Sequence, residues 1–305
     1  MKTYKGAAFY IDILGFSALT QGQVIGLDKG DYEAWGIKDK QLQNHHALAA
    51  AIIVEFRDVL LALKEHIPSI HIAHISDCAF IWSENVVELL RGVHYFMWTA
   101  VRDKGILCRG GISYGEIIEV ENKEYALGSV VLGNAVTRAV HLEGVLKGPR
   151  IAMDVEFPHA VWTYAKGIQC IQALSPDLFY AMTNEIDMAE ADEYRWYLCD
   201  EDFLANHGYS IGKDDRFEMT KARLSVFNTL KYHPRMSWNT KGDKALVQMK
   251  AGAMAISKDN LMHVHHLFES STVLTDKRSM TNLERANKRV MEAYYKEGES
   301  SICSE

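Results

Sequence analysis

The chain has 305 residues, of which 48% are hydrophobic and 24% are charged. This composition is ordinary for a globular protein, and the length is ample for a hydrophobic core. Its net charge of −7 argues against a protein that works by binding nucleic-acid backbones. No apolar run reaches the roughly 18 residues of a membrane-spanning helix, and the N-terminus begins as a strand, not as a secretion signal. The five scattered cysteines form no CxxC pair, which argues against a disulfide framework and a zinc site. We therefore expect a cytoplasmic protein that binds neither nucleic acid nor membrane.

Hydrophobic periodicity predicts an alternation of strands and helices over the first half of the chain. Predicted strands cover residues 4–14, 70–75, 78–82, 107–114, 116–120 and 150–153. Predicted helices cover residues 41–65, 86–102, 133–146 and 155–166. The order matches the β-α-β-β-α-β pattern of a ferredoxin-like fold enlarged by extra elements, which is an α+β class.

Beyond residue 185 the predicted structure is mostly helical. Residues 195–198 are predicted to form an edge strand, and the predicted helices cover residues 214–231, 243–256, 258–269 and 281–297. No low-complexity linker separates this part from the rest, so we expect it to pack on the first domain or on a partner subunit. We accordingly divide the chain into a domain at residues 1–185 and a helical extension at residues 186–305, with a packing, dimer or regulatory role.

One carboxylate, Asp12, lies near the end of the first apolar strand, just before a glycine and the start of a helix. Burying a lone aspartate is costly unless its charge is compensated, and a bound divalent cation would compensate it. The Gly-Phe-Ser turn into the helix offers backbone N–H groups for phosphate beside that cation. The alternative is an aspartate that caps the following helix.

A second carboxylate, Asp77, lies in the turn of the predicted hairpin after the first long helix. In a β-α-β-β unit the first strand and the hairpin are neighbours, so Asp12 and Asp77 can converge as oxygen ligands of two Mg²⁺ or Mn²⁺ ions. Two such ions, roughly 3.5–4 Å apart, clamp the attacking and leaving oxygens of an in-line phosphoryl displacement. Arg109 begins a glycine-rich strand, where a planar guanidinium suits phosphate oxygens. The alternatives are a plain turn aspartate for Asp77 and a surface ion pair for Arg109.

Four segments, in this order, resemble the motifs of class III nucleotidyl cyclases over about residues 7–155. They read FYIDILGF at residues 9–16, ISD at 75–77, RGGISYGE at 109–116 and LGNAVTRAVHLE at 132–143. The resemblance implies that residues 1–185 form a class III cyclase catalytic domain, which acts as a head-to-tail homodimer with active sites at the interface. It also implies the reaction, in which the ribose 3′-OH of a nucleoside triphosphate attacks the α-phosphate. The products are a 3′,5′-cyclic monophosphate and pyrophosphate.

The resemblance assigns a role to each matching residue. The residues that would bind two Mg²⁺ or Mn²⁺ ions per active site are Asp12, Ile13 and Asp77. The residues that would hold the triphosphate are Gly15, Phe16, Ser17 and Arg109.

The fourth motif offers two placements for the family's asparagine and arginine, which act on the ribose and on the transition-state phosphate. An ungapped alignment puts Thr137 and His141 at those positions. Asn134 and Arg138 have the same four-residue spacing one turn earlier, and a three-residue shift moves a helical side chain by only about 60° and 4.5 Å. We favour Asn134 and Arg138. In the alternative, Thr137 and His141 face the site, and Arg138 pairs with a carboxylate such as Glu143 or faces solvent.

Two departures from the purine-specific members concern base recognition. Those members carry a lysine where this chain has Ala73, and an aspartate or threonine where it has Val130. Without that hydrogen-bonding pair the pocket should lose discrimination for adenine. In this respect the chain is similar to the pyrimidine cyclases of Pycsar anti-phage defence, which make cyclic UMP or cyclic CMP for a separate cell-killing effector; we favour UTP over CTP on the resemblance alone. The alternatives are a purine cyclase with unusual base contacts and a degenerate nucleotide-binding module.

Overall fold

The computed structural model describes residues 1–120, 130–168, 178–183, 190–207 and 215–257. Its strands are β1 (Lys2–Ile13), β2 (His71–Ile75), β3 (Cys78–Ser83), β4 (Cys108–Val120), β5 (Val130–Leu132), β6 (Ile151–Met153), β7 (Phe179–Thr183) and β8 (Glu190–Tyr194). Its α-helices are α1 (Phe16–Thr20), α2 (Lys29–Ala34), α3 (His45–His66), α4 (Val86–Met97), α5 (Asn134–Glu143), α6 (Glu156–Ile168), α7 (Glu201–His207), α8 (Arg216–Tyr232) and α9 (Asp243–Ser257). A π-helical segment, Trp98–Asp103, continues α4, and 3₁₀ helices lie at Lys40–Leu42, Trp196–Leu198 and Pro234–Lys241. No helix in these ranges combines the length and the apolar composition that crossing a membrane requires.

The described strands form one mixed sheet in the order β2-β3-β1-β4-β6-β8-β7, with β5 paired to β4. Among the first four strands each neighbouring pair is antiparallel, with α3 following β1 and α4 following β3. This is the ferredoxin-like β-α-β-β-α-β unit, so the predicted α+β fold is confirmed. β6 adds to the β4 edge in parallel, and the antiparallel β7–β8 pair extends the sheet beyond it.

The two faces of the sheet are covered by different helices. In β1, Phe9 and Ile11 pack into the large core shared with α3 and α4. Ala8 and Tyr10 belong instead to a smaller cluster beneath α5. Because side chains alternate along a strand, Asp12 lies on the α5 face, where β1 ends and the chain turns into α1.

Two of the predicted elements are wrong. The sequence predicts a break at Gly115, but β4 runs through it without interruption, and Gly115 pairs with Gly6. Glycine suits this position because α5 lies directly over the strand, and a Cβ would displace the side-chain ends of Asn134 and Arg138. Residues 195–198 contain a 3₁₀ helix, not an edge strand, since the side chains of Trp196–Leu198 are all buried and do not alternate.

The C-terminal part agrees with a mostly helical extension as far as it is described. The predicted helices at residues 214–231 and 243–256 correspond to α8 and α9. Those at residues 258–269 and 281–297 lie outside the described residues. The domain boundary after residue 185 stays a prediction; it falls between β7 and β8, which pair in one sheet.

Candidate active site

Asp12 and Asp77 come together at one end of the sheet. β1 pairs with β3 so that Asp12 lies opposite Cys78, the residue that follows Asp77. The backbone N–H of Ile13 donates to the carbonyl of Asp77 over 3.0 Å, which ties the end of β1 to the β2–β3 turn. Ser76 in this turn has a φ of 56°, the left-handed conformation that tight hairpin turns use. One carboxylate at the end of β1 and another in the β2–β3 turn therefore lie beside the start of α1.

The surroundings of Asp12 are short of positive charge. Burial, and then the carboxylates of Glu143 and Asp77, raise the pKa of Asp12 to about 7. The Arg109 guanidinium and the N–H of Ile13 oppose this rise without cancelling it. A divalent cation would supply the missing charge, and carboxylate oxygens are ligands that Mg²⁺ and Mn²⁺ prefer. The residues present thus fit a metal site, and ligation by Asp12, Ile13 and Asp77 stays a prediction.

The proposed ligand set is small. Across the described residues, no group of three or more His, Cys, Asp or Glu side chains is arranged to hold a metal ion. Two carboxylates leave the remaining coordination positions to backbone carbonyls, water and substrate oxygens. We therefore expect weak metal binding without nucleotide.

We expect Mn²⁺ to bind the nucleotide-free protein about tenfold more tightly at pH 8 than at pH 6, because the ion must displace the proton that Asp12 retains below pH 7. Calorimetric titration in two buffers of different ionisation enthalpy measures both the affinity and the released proton. In Asp12→Asn the binding of Mn²⁺ should be lost at both pH values. Equal affinities at both pH values in the wild type would show that Asp12 is already ionised at pH 6.

Arg109 is held inside the chain. It lies opposite Asp12 in the β1–β4 pair, and its Nε donates to Glu143 Oε1, at the end of α5, over 2.6 Å. Its Nη1 donates to the carbonyl of Leu146 over 3.2 Å. Only 16% of the Arg109 side chain and 14% of the Glu143 side chain are exposed. Phosphate contact by Arg109 stays a prediction. It requires the guanidinium to bind phosphate alongside Glu143 or to break its ion pair with Glu143.

Glu143 is a third carboxylate of this site that the sequence pattern does not identify. The motif at residues 132–143 ends on it, but its position depends on the course of α5 over β4. The last turn of α5 lies over Gly111, where a Cβ would come within 2.6 Å of the Glu143 backbone nitrogen. That packing brings Glu143 to Arg109 and Asp12.

The turn after β1 contains the three residues of the predicted phosphate cradle, Gly15, Phe16 and Ser17. Gly15 has a φ of +83° and leads directly into α1. Phe16 is only 8% exposed and belongs to the core, so its backbone alone is available to a ligand. Ser17 is exposed, and its Oγ accepts from Gln21 Nε2 over 3.2 Å. Binding of a triphosphate by Gly15, Phe16 and Ser17 stays a prediction.

Asn134 and Arg138 lie over the middle of β4. Asn134 Oδ1 accepts from the N–H of Glu116 over 2.7 Å, and Arg138 Nη2 donates to the carbonyl of Tyr114 over 2.7 Å. Arg138 Nη1 is also 3.6 Å from Asp154 Oδ2. The roles of Asn134 and Arg138 stay predictions.

A single chain keeps these two groups apart. Six residues of β1 separate Asp12 from Gly6, which pairs with Gly115 beneath Asn134 and Arg138. Six residues of strand span about 20 Å. The aspartates and the Asn134–Arg138 pair of one chain therefore do not meet at one phosphate. The alternative pair, Thr137 and His141, lies on the exposed side of α5.

No protein-family model and no curated protein sequence matches the chain. Among solved structures, it is similar to the dimeric guanylyl cyclase domain of the RhoGC fusion protein from the aquatic fungus Blastocladiella emersonii, with 11% identity and a TM-score of 0.41 over 64% of this chain and 96% of that one. A bacterial light-regulated adenylyl cyclase gives 16% identity and a TM-score of 0.41 over 64% and 92%. The guanylate cyclase domain of RhGC from Catenaria anguillulae, in complex with GTP, gives 14% identity and a TM-score of 0.38 over 63% of this chain and 97% of that one. Likeness at this level assigns neither family nor activity, so the function must be inferred from the residues.

Proposed function

We propose that the protein is a nucleotidyl cyclase, which closes a nucleoside triphosphate to its 3′,5′-cyclic monophosphate and releases pyrophosphate. The observation that carries this proposal is the convergence of Asp12 and Asp77 beside the Gly15 turn. The carboxylates of Glu143 and Asp77 leave Asp12 with unbalanced negative charge, and the adjoining turn enters α1 through a half-buried, left-handed glycine. A polyphosphate held through divalent cations satisfies both features.

The proposed metal ligands are Asp12, Ile13 and Asp77, which offer oxygen donors to two Mg²⁺ or Mn²⁺ ions. When bound, such ions neutralise the charge that develops on the attacking and leaving oxygens of the reacting phosphate. The chain's own contribution is to bring the two carboxylates to one place, and a bound cation would favour the ionised form of Asp12. Without a cation, that form requires a pH above about 7.

The proposed triphosphate contacts are the backbone of Gly15 and Phe16, the hydroxyl of Ser17 and the guanidinium of Arg109. Gly15 adopts the left-handed φ that turns the backbone from β1 into α1, where these contacts would form. Arg109 would exchange part of its ion pair with Glu143 for phosphate oxygens, which it can bind with two parallel N–H groups. These contacts would orient the α-phosphate for in-line attack by the 3′-OH.

A head-to-tail homodimer is part of the proposal, because Arg138 contacts Tyr114, about 17 Å of strand beyond the residue that lies opposite Asp12. In such a dimer each active site would take Asp12 and Asp77 from one protomer and Asn134 and Arg138 from its partner. Asn134 would bind the ribose, and Arg138 would stabilise the charge on the transition-state phosphate.

For the base, we propose a pyrimidine, with UTP ahead of CTP. Ala73, opposite Phe80 in the β2–β3 pair, and Val130, which is 44% exposed at the start of β5, present no hydrogen-bonding side chain at the positions that read purines in the resembling family. The cyclic UMP or cyclic CMP product would act in the cytoplasm on a separate effector in anti-phage defence, as in the pyrimidine cyclases that the motifs resemble.

We expect the purified protein, given ATP, GTP, UTP or CTP with Mn²⁺, to cyclise a pyrimidine nucleotide at least about tenfold faster than either purine nucleotide. Mass spectrometry of the nucleotide product and a pyrophosphate assay measure the reaction, and Asp77→Asn controls for contaminating cyclases. Cyclic AMP or cyclic GMP as the main product would reject the pyrimidine assignment and keep the cyclase. Nucleotide binding without a cyclic product would indicate a binding module.

A further inference from the structure

The 3₁₀ helix Pro234–Lys241 and α9 pack across the turn between β1 and α1; we call these two elements, residues 234–257, the C-terminal clamp. A Cβ on Gly15 would lie 3.0 Å from Ala245 Cβ and 3.4 Å from the Trp238 ring. Trp238 is only 2% exposed, so its ring is fixed against this turn. One side of the proposed phosphate turn is therefore formed by the C-terminal clamp.

Charged contacts attach the clamp to the N-terminal half of the chain. Arg235 Nη2 is 3.1 Å from Glu55 Oε1 in α3. Lys241 Nζ is 2.7 Å from Asp28 Oδ2 and also contacts the buried Asp31 of α2. Both ends of the 3₁₀ helix are thus anchored, which gives the clamp a defined position on α2 and α3.

α9 makes a second contact, on the loop between α5 and β6. Gln248 Oε1 accepts from the N–H of Gly148 over 2.7 Å. The two backbones are so close that a Cβ on Gly148 would lie 2.5 Å from the nitrogen of Gly252. Two residues before Gly148, the carbonyl of Leu146 accepts from Arg109 Nη1. α9 therefore holds the loop that fixes Arg109.

Both contacts come from one face of α9. Ala245, Gln248 and Gly252 follow the i, i+3, i+7 spacing of a single helical stripe. Val247, outside that stripe, is 51% exposed. One helix therefore contacts both Gly15 and the loop that binds Arg109, and Gly15 and Arg109 are two of the four proposed triphosphate contacts.

We propose that Gln248 is a positioning residue, through which α9 fixes Arg109 relative to the Gly15 turn. The inference rests on the proposed function, because it concerns the phosphate contacts of that site. Gln248 acts through the Gly148 N–H and the Leu146 carbonyl, and not on the substrate. Loss of its hydrogen bond frees the loop to shift, so Arg109 keeps Glu143 but loses the fixed Leu146 carbonyl, and phosphate binding weakens more than the chemical step.

The test compares three variants of the full chain. Gln248→Met has a similar length and lacks the acceptor, Gln248→Glu keeps an acceptor oxygen, and Val247→Ala changes the exposed side of the same helix. We expect Gln248→Met to raise KM for the preferred nucleotide about five- to tenfold, with kcat within about twofold. The affinity for Mn²⁺-pyrophosphate, measured by calorimetry, should fall by a similar factor. Gln248→Glu and Val247→Ala should keep wild-type values, and all three should unfold within a few degrees of the wild type.

Three outcomes would overturn the inference. An unchanged KM and pyrophosphate affinity in Gln248→Met, with an active wild type, would remove the positioning role and leave the proposed function in place. Equal losses in Gln248→Met and Gln248→Glu, or a lower unfolding temperature without a change in KM, would indicate a structural role only. A wild type that forms no cyclic nucleotide and binds no pyrophosphate would reject the proposed function, and this inference with it.

Discussion

Mixing two inactive variants, Asp12→Asn and Arg138→Ala, is expected to restore about a quarter of the wild-type cyclase activity. In each mixed dimer, one site takes the intact Asp12 from one protomer and the intact Arg138 from its partner. The other site contains both substitutions, Asp12→Asn and Arg138→Ala, and is inactive. Random exchange places about half of the protein in mixed dimers, and one of two sites is intact in each, so about a quarter of all sites is active.

The expectation follows from the distance between the two groups along β4. Asp12 lies opposite Arg109 at one end of the β1–β4 pair, and Arg138 reaches the carbonyl of Tyr114 towards the other end. Arg138→Ala should fold normally, because 39% of the Arg138 side chain is exposed. Its neighbour Asp154 also keeps other donors, among them the Tyr114 N–H at 3.1 Å.

The matched control is a mixture of Asp12→Asn with Asp77→Asn, which should stay inactive because both aspartates belong to the same half of each site. Replacing Arg138→Ala by His141→Ala in the original mixture tests the alternative placement of the α5 pair. Native mass spectrometry shows whether mixed dimers form. Mixed dimers without activity, or an active Arg138→Ala homodimer, would reject the shared site as proposed.

The part of the site that local sequence could predict is the part built from neighbouring strands. The break before residue 70 and the two-residue turn at Ser76 define a hairpin, and the ferredoxin-like order then places that hairpin beside β1. The convergence of Asp12 and Asp77 follows from those local signals. The identity of the base does not follow from them, because Ala73 and Val130 indicate only that the hydrogen-bonding side chains of purine-specific members are absent at these two positions.

The remaining features depend on contacts between distant parts of the chain. Trp35 Nε1 donates to the carbonyl of Arg235, 200 residues away, and this contact belongs to the clamp that lines the Gly15 turn. No local pattern in residues 234–241 indicates that partner, because a 3₁₀ helix has no strong hydrophobic period. Gly115 is a similar case: it looks like a strand break, yet it makes room for a helix that packs on the strand.

Asp12→Asn is expected to lower kcat by at least about 10³-fold and, at the same time, to stabilise the metal-free protein at pH 8. The pKa of Asp12 is about 7 in the folded protein and about 4 in an unfolded chain. Between these values the folded state keeps a proton that the unfolded state has released, so stability falls as the pH rises from 4 to 7. Above pH 7 Asp12 is charged in both states, so the cost of burying its charge lowers the free energy of unfolding in full. Asparagine carries no charge and has no such cost. We expect Asp12→Asn to gain about 2 kcal/mol in the free energy of unfolding. This is less than the pKa difference alone would give, because Asp12 is partly exposed.

Urea denaturation of both proteins with EDTA, from pH 4 to pH 8, measures this gain, which should shrink towards pH 4. Saturating Mn²⁺ should stabilise the wild type and leave Asp12→Asn unchanged, because a cation that binds only the folded carboxylate shifts the folding equilibrium by mass action. Retained activity in Asp12→Asn would refute the two-metal site. Lost activity without a gain in stability would mean that the charge of Asp12 is already balanced by Arg109 in the metal-free chain. If both expectations hold, Asp12 lowers the stability of the metal-free protein and is required for turnover. Metal binding then explains why the chain carries a buried carboxylate at this position.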